Sequence, residues 1–127
     1  MARVIKKLDI DFTVCKVSDF SRVDFSRPFI FIAGTDEECS VVCETEYMPS
    51  NVTDYEHGWK ALRLQGVIDF EEIGVIADIS RIISGASMSL FVISTYNTDY
   101  VLLKEANFDK SIALLESHGY TLTDEGE

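Results

Sequence analysis

The sequence predicts an α+β fold, and three observations carry that reading. From Val75 the apolar residues Val75, Ile79, Ile82, Ile83 and Ala86 recur at i, i+4, i+7, i+8 and i+11, with Asp78, Arg81 and Ser84 on the opposite side. That is one face of an α-helix. Met88–Ile93 is nearly all apolar, as a central strand buried on both faces would be, and Asn97 and Thr98 mark a tight turn into another strand. A second helical stripe, Phe108, Ile112 and Leu115, opens after the N-cap candidate Asn107 and stops at Gly119.

Taken in order, residues 8–17 alternate, with Leu8, Ile10, Phe12 and Val14 facing one way and Asp9, Asp11, Thr13 and Cys15 the other. Ser18–Pro28 is rich in turn formers and predicts a loop or a single helical turn. Phe29–Ala33 and Cys39–Cys43 are strands joined by a polar connection of hairpin length. Met48–Gly58 holds Pro49, Ser50, Asn51 and several acids, and is the candidate linker. Trp59–Gln65 resumes as a strand with Leu62 and Leu64 on one side. Gly85 is placed to end the first helix in a left-handed conformation. Tyr120–Thr123 closes the pattern, before an acidic tail.

From Trp59 the order is therefore β-α-β-β-α-β, the ferredoxin-like arrangement of two helices on one face of a four-stranded antiparallel sheet. The first half offers the same plan with its helices shortened. The expectation is a tandem pair, a degenerate unit over 1–58 and a complete one over 59–127.

Composition narrows the function. Eleven Lys and Arg against 22 Asp and Glu leave a net charge of −11, a surface that repels nucleic acid and anionic membranes. No apolar run reaches the ~18 residues of a membrane span. The start, Met-Ala-Arg-Val-Ile-Lys-Lys, is unlike a signal peptide, so the expected compartment is the cytoplasm. Cys39 and Cys43, about 13 Å apart along one strand at ~3.3 Å per residue, cannot bridge each other. With only His57 and His118 available, the three cysteines read as buried thiols, and neither a metal nor a cofactor is expected. No nucleophile pairs with a base, and no phosphate-binding glycine pattern occurs. Catalysis is not expected.

Phe70-Glu-Glu-Ile-Gly-Val-Ile-Ala-Asp-Ile, followed by Ser87-Met-Ser-Leu-Phe-Val-Ile-Ser-Thr-Tyr-Asn-Thr-Asp-Tyr-Val-Leu-Leu-Lys-Glu, resembles the ACT-domain family. The likeness is to small two-domain ACT proteins related to the CASTOR arginine sensors. The resemblance implies a regulatory module that binds an amino acid between two ACT units. It implies as ligand-binding positions Phe70, Glu71, Glu72, Ile73, Gly74 and Val75 in the loop opening the first helix, Ser89 and Leu90 at the next strand, and Asp99 beyond the turn. Backbone N–H groups near Gly74 would suit a carboxylate, and Glu72 and Asp99 an ammonium or guanidinium. The arginine sensors carry four such domains and this chain at most two, so a complete site implies a homodimer, with a regulated protein as a further partner. A purely structural role stays open, with Asp99 capping the hairpin and Glu71 and Glu72 complementing the helix N-terminus. The alternative function is a protein–protein interaction module with no small ligand.

Overall fold

The computed structural model describes residues 3–64 and 74–124. Its strands are β1 (Arg3–Val17), β2 (Phe31–Gly34), β3 (Cys39–Glu44), β4 (Val52–Leu64), β5 (Leu90–Ser94), β6 (Asp99–Lys104) and β7 (Tyr120–Asp124), and its helices α1 (Val75–Gly85) and α2 (Phe108–Ser117). Two compact units emerge, the larger from Met1–Asp9 with Lys60–Glu127, the smaller from Ile10–Trp59. Both β1 and β4 are divided between them.

In the larger unit the strand order is β7-β1-β4-β6-β5. The sequence predicts four strands there, and the structure adds a fifth, because residues 3–7 pair with β7, Arg3 opposite Tyr120 and Lys7 opposite Asp124. This pairing is parallel, whereas β5 and β6 are antiparallel. The helical stripe of α1 buries Val75, Ile79, Ile82 and Ile83 against Leu62, Leu64, Val101 and Leu103, alternate residues of β4 and β6. Leu115 of α2 joins the same cluster, so both helices cover one face of the sheet. Tyr120 donates a 2.5 Å hydrogen bond to Asp78 of α1, which also accepts from Arg81 at 2.7 Å, tying the last strand to the first helix.

The expected helix stop is displaced. Gly85 remains helical, and the left-handed residue is Ser87 at φ 62°. Ser87 N–H donates to the Ser84 carbonyl and Met88 N–H to that of Ile83, the doubled closure of a Schellman end. Buried Met88 then packs beside Ile83, and β5 starts only at Leu90. Nor is β5 central. It ends the strand order, with Leu90, Phe91, Val92 and Ile93 half-buried. Gly119, at φ 95°, ends α2 as expected.

The smaller unit repeats the element order without α-helices. Its strands run β2-β3-β1-β4, and 3₁₀ turns at Phe20–Arg22 and Thr45–Tyr47 occupy the helix positions. Asp19 caps the first turn by accepting from Ser21 N–H. The candidate linker is not one, since β4 begins at Val52 and runs through it. Residues 53–57 of that strand are exposed, so no apolar alternation marks them in the sequence. The expected facing of β1 also changes along its length. Thr13, Cys15 and Val17 are buried, although the alternation assigns Thr13 and Cys15 to the polar side.

Candidate functional site

The opening of α1 sets the geometry. Gly74 adopts φ 99°, a left-handed conformation that costs side-chain-bearing residues about 1–2 kcal/mol. A Cβ built there would meet nothing within 4 Å, so it is the backbone angle and not crowding that selects glycine. The Gly74 carbonyl accepts from Asp78 N–H at 2.8 Å, and Gly74, as the N-cap residue, offers no side chain to cap the helix. The donors of the first turn thus receive no side-chain oxygen from the N-cap residue, and the macrodipole favours an anion before them. Val75 turns into the core.

Asp99 opens β6 opposite Ser94 and is buried, with 7% of its surface exposed. It shares strand parity with Val101 and Leu103 and so belongs to the helix-covered face. Among the described residues, no side-chain hydrogen bond or ion pair reaches its carboxylate. Its neighbour Thr98 donates its hydroxyl to the Leu64 carbonyl, and the turn is closed by Thr95 N–H donating to the Thr98 carbonyl at 2.8 Å. The β5–β6 turn is thereby fastened to the end of β4, from which the chain continues toward Gly74.

Ser89 and Leu90 occupy the other end of the hairpin. Leu90 lies opposite Leu103 and Ser94 opposite Asp99, a separation of about 13 Å along the ladder at ~3.3 Å per residue. Ser89 is exposed and Leu90 half-buried. One copy therefore does not gather Ser89 and Leu90 with Asp99 around one small molecule. Phe70, Glu71, Glu72 and Ile73 lie outside the described residues.

The histidine and cysteines show a different chemistry. Thr13 Oγ1, fully buried, lies 2.6 Å from Thr45 Oγ1 and 2.7 Å from His57 Nδ1. Burial, followed by the proximity of Cys15, pushes the Cys43 thiol up to about 12, and burial likewise raises Cys15. Both are unreactive thiols at neutral pH. No group of three His, Cys, Asp or Glu residues is arranged for a metal ion among the described residues, and no helix there is long and apolar enough to cross a membrane.

Residues 54–117, half of the sequence, match the ACT domain family. The chain belongs to the ACT-domain family. The matched ACT segment includes α1, β5, β6 and α2, and with them Gly74 and Asp99. Atu0741 from Agobacterium tumefaciens is similar over 100% of this chain and 96% of its own, at 26% identity and a TM-score of 0.86. VC0802 from Vibrio cholerae, described as a protein of unknown function and possible transport protein, matches 93% of this chain and 91% of its own at 16% identity, TM-score 0.72. The allosteric aspartate kinase of Clostridium acetobutylicum shares the fold over 89% of this chain and 33% of its own, at 14% identity and a TM-score of 0.61. ACT domains are regulatory, and the aspartate kinase likeness, at this identity, is one of fold.

Proposed function

We propose that the chain is a non-catalytic regulatory sensor that binds an amino acid at an ACT–ACT interface of a homodimer, in the manner of the arginine sensors it resembles. The observation that carries the reading is the placement of Asp99, an acid with 7% of its residue surface exposed at the start of β6, beside a turn fastened to Leu64. Asp99 receives the ligand's ammonium. The N-terminus of α1 at Gly74 receives the carboxylate, with Phe70, Glu71, Glu72, Ile73 and Val75 completing the loop side. Ser89 and Leu90 come from the second copy. An antiparallel pairing of β5 with its two-fold mate sets the start of one strand beside the end of the other, and the half-covered apolar side chains of this terminal strand support it. The tandem reading, with the unit over 1–58 degenerate, assigns the ligand to the unit over 59–127. The sensor works in the cytoplasm and transmits occupancy to a regulated protein.

Thermal melting against the twenty amino acids tests this. An amino acid at one hundred times its dissociation constant stabilises the fold by about 2.7 kcal/mol, and Asp99→Asn removes the shift. If no amino acid at millimolar concentration moves the wild-type transition, the reading fails. The second reading, a docking module without a small ligand, draws on Tyr96, which stands 103% exposed at the hairpin tip. Under that reading Tyr96→Ala abolishes capture of the partner and added amino acids change nothing.

A further inference from the structure

The larger unit has another opening, at the start of α2 and away from Gly74 and Asp99. It is a cavity of 550 Å³, walled by Phe108, Asp109 and Ile112 of α2 and by Lys7, Lys60 and Asp124 of β1, β4 and β7. We propose that this cavity is a second binding site, which takes a small zwitterion with an apolar side chain.

Three features point to that chemistry. The volume lies within the range of small-molecule sites, roughly 300–1,000 Å³. In a protein with twice as many acids as bases, two lysines share this one cavity, and carboxylates line it as well. Lys60 is 3.8 Å from Asp9 and Lys7 is 3.3 Å from Asp124. In both pairs the lysine side chain is the more enclosed, at 18% and 31% exposure, while Asp9 and Asp124 are 107% and 71% exposed. A ligand carboxylate can therefore exchange with Asp9 at Lys60 and return it to water, leaving Asp109 for an ammonium. Phosphates and dianions meet the same carboxylates as like charges and are disfavoured. A simple amine gains nothing from the lysines, which keep their pairs with Asp9 and Asp124. Phe108 and Ile112, four residues apart on α2 and both half-buried, give an apolar wall for the ligand's side chain.

The test is an NMR titration of the isotope-labelled full chain with leucine, and with isopentylamine and 4-methylpentanoate, which each keep one of its charges. Leucine is expected to shift the resonances of Phe108 and Ile112 and to bind at least tenfold tighter than either analogue. Lys60→Met weakens leucine at least tenfold, Lys60→Arg restores it, and Asp99→Asn leaves these shifts intact. Lys7→Met gives the same reading if Lys60→Met does not fold. Equal binding of the three compounds, unaltered affinity in the folded lysine variant, or no shift with leucine at millimolar concentration overturns the proposal. Leucine shifts confined to the surroundings of Gly74 and Asp99 also overturn it, while supporting the sensor site.

Discussion

The two units share an element order and differ in what fills the crossings. Between β4 and β5 the larger unit has α1, whose four buried residues lock into a cluster with both neighbouring strands. Between β1 and β2 the smaller unit has only Phe20–Arg22 in a 3₁₀ turn with no buried residue, over a core of Cys15, Val17, Val23, Val41 and Cys43. One turn cannot meet the nucleation cost of an α-helix, so this crossing depends on the Asp19 cap and on strand pairing. Among the described residues, an α-helix that opens on a left-handed glycine occurs in the larger unit alone, and there too stands the largely covered acid Asp99.

The sharpest way to break this contrast is to hollow out each core. Ile83→Ala, at a fully buried position of α1, should cost about 2–5 kcal/mol, and Val41→Ala in the smaller unit should cost less. Urea denaturation followed by far-ultraviolet circular dichroism reads both. A larger loss from Val41→Ala would reverse the assignment of the principal core.

Alkaline pH tests the smaller unit next. The Cys43 thiol is raised to about 12 in the fold from 9.0, so between those values the unfolded chain ionises first and binds fewer protons. Stability must then fall as pH rises through that window, by up to about 1.4 kcal/mol per pH unit. Cys43→Val should flatten the decline between pH 9 and 10.5, and an unchanged slope would show that the thiol is not responsible. The smallest effect concerns Thr13. Thr13→Val removes the hydroxyl shared by Thr45 and His57 and should cost about 1 kcal/mol, since exposed His57 can turn to water.

Legibility followed local signals. The stripe Val75, Ile79, Ile82 and Ile83 needs only its own spacing to predict α1, and Gly119 only its place after Leu115. The start of β4 escaped because residues 53–57 are exposed and carry turn formers just before them. Ser87 rather than Gly85 takes the left-handed angle because the helix closes on Ile83 and Ser84 through its final amides, which composition does not announce. The edge position of β5 and the adjacency of Cys15 to Cys43 depend on strand register, with Cys15 opposite Val41 and Thr13 opposite Cys43. Gly74 and Asp99 were readable as candidates through family likeness. The Lys7 and Lys60 cavity was not, because it assembles from four separate elements.

The pairing of Arg3–Lys7 with Tyr120–Asp124 has a consequence for synthesis. A nascent chain emerging from the ribosome presents the first partner early and the second only after every other described strand has appeared. The edge of β1 that faces β7 must wait, although β4 is already there for its other edge and Ile10–Trp59 has the residues it needs. Pausing translation before Tyr120 is therefore expected to leave a protease-sensitive leading segment on an otherwise ordered smaller unit.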